Sequence, residues 1–310
     1  MMLTVDIDIE YIAFILNSTF RLMTPILFVA LGSAICNRVF IFNIGLEGMM
    51  LTGAFFAIVA NFYTHSVILS LLTAMISAGF VAWVAGIFMV KLKGAMLVVG
   101  ISVNILMLGA TTFLMQIIFG VKGAFVDTSL VTIPRVNVEF LKDFPFLHTL
   151  FGSLTYLDYF AVVLAIILYY YMFKTVSGFR LRSIGYNKEA ADSLGINSDR
   201  IQIGAITFSG VLSGLGGALL SMGAVTMFVQ NITSGRGFMA MAAGALGSAH
   251  PIGVVFASIF FGLAQTLSNV FDTQIISSEF MKAIPYLATI VALGIFNYMK
   301  IKRGGRINNI

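Results

Sequence analysis

Glu47 is the only acidic residue between Glu10 and Asp127, and it falls within or at the edge of an apolar run, Phe42-Asn-Ile-Gly-Leu-Glu-Gly-Met-Met-Leu-Thr-Gly-Ala54. An ionisable group at bilayer depth is costly unless it is paired or faces water, which makes it a functional candidate by default. Gly45 and Gly48 flank it and allow the helix to break or a neighbouring backbone to approach. Two readings follow. One is a broken helix beside a solute pathway, with Asn43 and Glu47 as its polar groups and with Ser102 and Asn104, further along the chain, as additional pathway residues. The other is a carboxylate capping the start of its own helix, where its charge suits the helix dipole.

A second concentration of chemistry is the charged island from Lys174 to Arg200, which holds Lys174, Arg180, Arg182, Lys188 and Arg200 between two apolar runs. Within it, Asn187 is suited to cap a helix N-terminus and Gly195 to end that helix in the left-handed conformation. The intervening helix is only about two turns, with Ala190, Ala191 and Leu194 expected on one side. So short a helix is marginal in water and needs something to dock against it. An ordinary cytoplasmic loop helix is one reading; a coupling helix presented to a soluble motor is the other.

A third stretch, Ser234-Gly-Arg-Gly-Phe-Met-Ala-Met-Ala-Ala-Gly-Ala-Leu-Gly-Ser-Ala-His-Pro251, reads as a discontinuous element because its glycines and Pro251 interrupt a regular helix. Gly45-Leu-Glu-Gly-Met-Met set beside Gly235-Arg-Gly-Phe-Met-Ala hints at two matching halves. His250 is expected as a polar turn residue, with a proton relay as the alternative. No GxxxxGK[ST] phosphate loop, His-Glu-x-x-His or GxSxG occurs, so no catalytic residue is assigned. The single cysteine, Cys36, excludes an internal disulfide, and no metal site is expected.

These residues must be positioned by membrane helices. The 310-residue chain is 59% hydrophobic and 10% charged, with a mean hydropathy of +0.99, against roughly 25% charged residues in a soluble domain. That composition defines an all-α, polytopic membrane protein with about eight to ten transmembrane or partly spanning helices. Candidate spans fall near 11–36, 43–63, 66–90, 95–119, 157–174, 201–222, 237–248, 250–268 and 280–298. Arg21 is expected to divide the first into an interfacial helix and a shorter buried one. The 237–248 segment is too short to cross a core of about 30 Å and reads as a half-helix. Ala205, Ser209, Ser213 and Gly217, with Gly210 and Gly214 alongside, form a small-residue stripe for close helix packing, and Gly216-Gly217 adds a candidate flexible point.

Lys91, Lys93, the 174–200 island and the basic tail Lys300, Lys302, Arg303 and Arg306 belong on the cytoplasmic side, and nine segments place them all there. The acidic N-terminus and the 120–156 loop then lie outside. The +5 net charge reflects this inside bias and does not point to nucleic acid.

Asn43-Ile-Gly-Leu-Glu-Gly-Met-Met, Gly185-Tyr-Asn-Lys-Glu-Ala-Ala-Asp-Ser-Leu-Gly-Ile196 and Gly235-Arg-Gly-Phe-Met-Ala-Met-Ala-Ala together resemble the binding-protein-dependent ABC importer permeases. The branch is the one with ribose, branched-chain amino acid and nucleoside systems, and the first string is most similar to permeases of bacterial nucleoside (or simple-sugar) importers. The resemblance runs from about Arg21 to Phe296. It implies a type II importer fold, with residues 1–310 as a single transmembrane permease domain, an extracellular loop at 120–156 and a cytoplasmic coupling loop at 175–200. It also implies that Asn187, Glu189, Ala190, Ala191, Leu194 and Gly195 couple to an ATPase subunit.

The implied partners are a second homologous permease subunit, an ATP-binding cassette ATPase, an extracellular substrate-binding lipoprotein, the small-molecule substrate and the bilayer of a bacterial cell membrane. No cofactor is expected in this chain, because ATP would be bound by the separate ATPase. The alternative class is an ion-coupled secondary transporter or channel, for which Glu47 would be the coupling residue. A membrane-embedded enzyme is disfavoured by the missing catalytic constellation.

Overall fold

Runs of about twenty apolar residues become helices in a membrane because hydrocarbon offers the backbone no hydrogen-bond partners other than its own. The computed structural model describes residues 9–136, 145–224 and 226–270, with Leu287, Val291 and Gly294 beyond. In chain order the helices are α1 (Ile9–Arg38), α2 (Leu46–Thr64), α3 (Val67–Gly86), α4 (Met96–Phe119), α5 (Pro145–Phe151), α6 (Tyr156–Lys174), α7 (Val176–Tyr186), α8 (Lys188–Ser193), α9 (Ser198–Ala218), α10 (Arg236–Leu246) and α11 (Pro251–Val270). Wider π-helical turns extend α3 through Ile87–Lys91 and α9 through Leu219–Ala224. Two-residue strands β1 (Ala124–Phe125) and β2 (Phe228–Val229) pair antiparallel, tying the 120–156 loop to the segment ahead of α10.

Seven of these helices are long and apolar enough to cross a membrane. With the short α10 they make eight membrane segments among the described residues, in line with the all-α polytopic reading. The expected span at 280–298 and the basic tail lie outside the described residues. Chain direction follows from contacts. The outer part of α1 is tied to the α5 region by the Asn17 amide, which donates to the Leu150 carbonyl at 2.8 Å. The Arg38 end of α1 lies beside Ser248 and Ala249 and beneath α7.

The core is organised around α9, which packs against α1, α2 and α3. The small-residue stripe does what its spacing predicts. A side chain at Gly210 would run into Ala78 and Ala82 of α3, and one at Gly53 of α2 would run into the backbone of Gly214. A side chain at Gly217 would collide with the Met50 carbonyl, so Gly216-Gly217 is a tightly wedged position rather than a flexible point. Ser209 and Ser213 are buried, and their hydroxyls donate to the carbonyls of Ile206 and Ser209, each at 2.8 Å. They therefore add no unpaired polar group to the dry interface. In the most apolar window of α1, α2 and α9, 83%, 72% and 72% of residues are buried, against 28% in α3 and 11% in α4. The first three are therefore interior, and α3 and α4 form the outer surface.

α1 departs from expectation. It is one continuous helix of 30 residues that carries both Arg21 and Pro25. Arg21 lies 38 − 21 = 17 residues from Arg38, about 25 Å along the axis, so it reaches the outer edge of a core of about 30 Å without a break. Pro25 removes one backbone donor, and α1 is held through that point by α9, with Gly216 set against the Pro25 carbonyl. The 120–156 loop carries Thr155, whose backbone N–H and hydroxyl both donate to Asp158 to form a capping box that starts α6.

The packing predicts opposite outcomes for two glycines of α9. Gly217→Val should destabilise the protein by about 2 kcal/mol through overpacking against Met50. Gly204→Ala, where nothing lies within 4 Å of the added carbon, should be neutral or gain up to ~1 kcal/mol. Thermal unfolding in detergent reads both; equal melting of the two variants would contradict a tight α9–α2 contact.

Candidate functional site

The stretch around Glu47 begins where α1 stops. Val39 and Ile41 bond back to the Cys36 carbonyl and Phe40 adopts φ +59°, so the chain leaves the helix and runs without regular structure to Leu46. A helix that starts inside a protein has several N–H groups to satisfy. α2 has Gly45 at its N-cap and no side-chain cap of its own. Asn104 of α4 supplies one: its Oδ1 accepts the Gly48 N–H at 2.8 Å and its amide donates to the Ile44 carbonyl at 3.0 Å. The Asn43 Oδ1 accepts the Gly45 N–H at 3.1 Å, and its amide donates to the Ser209 hydroxyl of α9 at 2.9 Å.

Glu47 performs the same service for another helix. One carboxylate oxygen accepts the Gly235 N–H at 2.7 Å and the Thr233 hydroxyl, and the other accepts the Gly237 N–H at 2.7 Å. These donors form the N-terminus of α10, where an anion also meets the positive end of the helix dipole. Gly235, the N-cap, needs φ +80°, and a side chain at Gly237 would strike the Glu47 backbone. The two look-alike glycine stretches of the sequence are thus each other's partners in space. At its other end α10 is held by the Arg38 guanidinium, which donates to the Ala249 carbonyl at 2.8 Å and the Ser248 carbonyl at 3.2 Å. Its 11 residues span about 16 Å, which puts the Glu47 junction roughly halfway across the core.

The geometry therefore overturns the reading of Glu47 as the cap of its own helix. It caps α10 rather than its own helix, and it is 8% exposed, with Asn43 at 2%. Asn43, Glu47 and Asn104 direct their polar atoms at backbone and at one another's neighbours, not at open space. Ser102 lies apart from this group on the exposed face of α4. Thr233 and Ser209 complete the junction; sequence reasoning missed Thr233 and read Ser209 only as a packing residue, because each is an ordinary hydroxyl until the fold brings it to residue 47 or 43.

In the 175–200 segment, Asn187 both ends α7 and caps α8, its Oδ1 accepting the Ala190 N–H at 3.0 Å, and Gly195 takes φ +78° as its position requires. α8 is six residues long. Lys188 pairs with Asp199 at 2.7 Å and donates to Gln202 at 3.1 Å, and the Gln202 amide donates to the Val39 carbonyl at 3.0 Å. Those contacts join α8 to the segment that leads to Glu47. Ala191 is buried against the chain's own helices, whereas Ala190 is exposed and Leu194 is 81% exposed. The expected shared face is thus split: Ala191 holds α8 down, and Leu194, with exposed Tyr186 and Phe179, faces outward.

α7 is fixed to the core through Phe173. The guanidinium carbons of Arg38 and Arg182 lie 5.3 and 4.9 Å from its ring centre. The His250 ring packs against Phe173 and Tyr169, with centroids 4.9 and 5.4 Å away. Burial, and then the Arg38 charge, lower the His250 pKa from its ordinary value. A neutral imidazole in an aromatic stack is a turn residue that packs, as expected.

Comparison with known proteins defines the class. Residues 15–294 match the family described as branched-chain amino acid transport system / permease component, and the chain belongs to that family. It is a permease subunit of an ATP-driven importer and a multi-pass protein of the bacterial cytoplasmic membrane, and the family implies an ATPase and a substrate-binding partner. Among its relatives, the guanosine ABC transporter permease protein NupQ of Bacillus subtilis is 33% identical, with 92% of each chain covered. The nucleoside ABC transporter permease protein NupC of Lactococcus lactis is 34% identical over 88% of this chain and 89% of its own. A chain described as a metal-chelate type ABC transporter in an inward-facing conformation has the same fold, at TM-score 0.50 and 15% identity, with 96% and 91% of the two chains covered.

Glu47→Ala should leave three donors of the α10 N-terminus without their acceptor and cost about 3 kcal/mol or more. Glu47→Gln keeps the shape and one acceptor oxygen and should cost less. The order wild type, Gln, Ala in thermal stability checks the anchor; a stable Ala variant would remove it.

Proposed function

We propose that this permease imports a nucleoside, received from an extracellular binding protein and moved by alternating access. The observation that carries the reading is the likeness over nearly the whole chain to permeases named for guanosine and for nucleosides. The low share of charged residues, 10%, is in keeping with a neutral cargo, which needs few ionised groups along its path. The chain itself performs no catalysis and holds no cofactor; ATP is bound and hydrolysed in the separate subunit. A second, homologous permease subunit completes the membrane domain. This is supported by a second Bacillus subtilis relative that is also named a guanosine ABC transporter permease protein, NupP, at 26% identity.

Coupling runs through α8. Asn187, Glu189, Ala190, Leu194 and Gly195 form or border the exposed surface that meets the ATPase, and Ala191 anchors that surface from beneath. Movement of α8 reaches α9 and the 39–45 segment through Lys188, Gln202 and the Val39 carbonyl. From there it reaches the junction at which Asn43, Glu47 and Asn104 hold α2 and α10. Those three residues act by positioning the path's walls, and Ser102 lies on the α4 surface where a neighbouring subunit would pack. Residues 120–156 form the outer loop and 175–200 the coupling loop of a single permease domain.

Uptake of labelled guanosine, uridine and ribose in cells lacking the gene tests the cargo. Nucleoside uptake should fall and should track ATP rather than the proton gradient; loss of ribose uptake alone would change the cargo and keep the machine. Leu194→Asp should abolish transport while the permease remains folded in the membrane. Ala191→Arg should instead lower the amount of folded protein. Normal uptake by Leu194→Asp would remove α8 from the coupling path.

A further inference from the structure

Arg21 stands out in a different part of the molecule. It lies in the outer part of α1, about 25 Å from the cytoplasmic end of that helix. It makes no direct hydrogen bond or close ion pair with a described residue, although the Asp158 carboxylate attracts it and the Arg135 guanidinium repels it through space. At the edge of the core a guanidinium keeps its donors directed at water or a polar ligand, because pointing them into apolar surroundings is costly. Arg21 lines a cavity of about 400 Å³ bounded by α1, the start of α6, the end of α9 and the end of α11. That volume lies within the range of small-molecule sites, roughly 300–1,000 Å³, which combine apolar walls with a few convergent polar groups.

The walls fit that description. Leu22 and Leu219 supply apolar surface, and Phe14, about two turns from Arg21 along α1, presents an aromatic ring. Asp158 adds an acceptor. Its Oδ2 is occupied by the Thr155 N–H at 2.6 Å and the Thr155 hydroxyl at 2.7 Å, while its Oδ1 receives no hydrogen bond from a described residue. Asn269, at the end of α11, contributes an amide to the same cavity. One place therefore combines a forked donor, a free carboxylate oxygen, an amide and an aromatic face.

We propose that this outer cavity is the site at which the membrane domain first binds its cargo, and that its chemistry suits a nucleoside with an oxo-purine base. The proposal rests on the nucleoside reading above and extends it to particular residues. The base stacks on Phe14. The Arg21 fork donates to two neighbouring acceptors, the geometry in which arginine reads the O6 and N7 atoms of guanine. The Asp158 Oδ1 accepts a ribose hydroxyl, and Asn269 bonds the remaining edge. Adenosine offers N7 beside an amino group, so it presents Arg21 with one acceptor instead of two. The site thus favours guanosine and inosine over adenosine.

The test uses the whole transporter, with its ATPase and binding protein, in liposomes made with and without phosphatidylglycerol. Initial uptake of guanosine, inosine and adenosine is measured with the binding protein saturated by each. Arg21→Met should lower guanosine and inosine uptake about tenfold or more relative to adenosine, as expected for loss of a charge-assisted pair of hydrogen bonds. Arg21→Lys should fall between it and wild type. Asn269→Ala, at an exposed helix end, should reduce uptake of all three and guards against a folding defect at residue 21. If wild type carries the nucleosides and all three variants match it, the cavity is not the site, although the transported class stands. In the Arg21 variants, an equal loss for every nucleoside, or a loss that depends on phosphatidylglycerol, would make Arg21 a structural or lipid-headgroup residue and overturn the proposal. If wild type carries no nucleoside, this proposal and the nucleoside reading fail together.

Discussion

A helix that begins inside a membrane must find acceptors for its first N–H groups, and the arrangement of this protein's interior depends on how that requirement is met. α10 starts about halfway across the core with a glycine at its N-cap. The only acidic side chain in the first four membrane helices after Glu10 is sent to it. Glu47 meets the N–H groups of Gly235 and Gly237 and the Thr233 hydroxyl with its two oxygens. α2 has the same problem and borrows its cap from Asn104 of α4. Two incomplete helices are thus secured by side chains from elsewhere, and the buried polar groups satisfy each other in a setting where an orphan would be expensive.

Close packing makes these long-range caps geometrically feasible. Glycines and serines of α9 allow the backbones of α2 and α3 to approach until a methyl group would not fit. Such contacts hold through van der Waals complementarity, since lipid offers no hydrophobic drive for helices to associate. They also keep Ser209 within reach of Asn43 and Gly217 beside Met50. The interior therefore behaves as one unit, while α3 and α4 show large apolar side chains at the perimeter.

A line of contacts leads from α8 into that unit. Lys188 of α8 bonds Asp199 and Gln202, and Gln202 bonds the Val39 carbonyl at the start of the segment that delivers Asn43 and Glu47. In parallel, Arg182 of α7 and Arg38 of α1 share the Phe173 ring, and Arg38 also holds the far end of α10. Both routes end on α10, one at each terminus. Through these contacts α8 is continuous with the interior despite its six residues.

Composition and periodicity alone determined the membrane class, the position of nearly every span among the described residues, the short α10 and the caps at Asn187 and Gly195. Each of these is a local property: apolar length, charge distribution, or a residue type required at a helix end. The small-residue stripe of α9 was equally legible, because close approach needs small side chains wherever the partner lies. Tertiary structure decided what local pattern could not. Glu47 was marked as costly and therefore important, but its partners are 186 to 190 residues away, and nothing near residue 47 reveals them. The two faces of α8 were likewise settled by neighbours, which cover Ala191 and leave Leu194 in the open. The break expected at Arg21 did not occur, because a cation at the outer edge of the core can stay on a continuous helix when packed helices hold that helix in place.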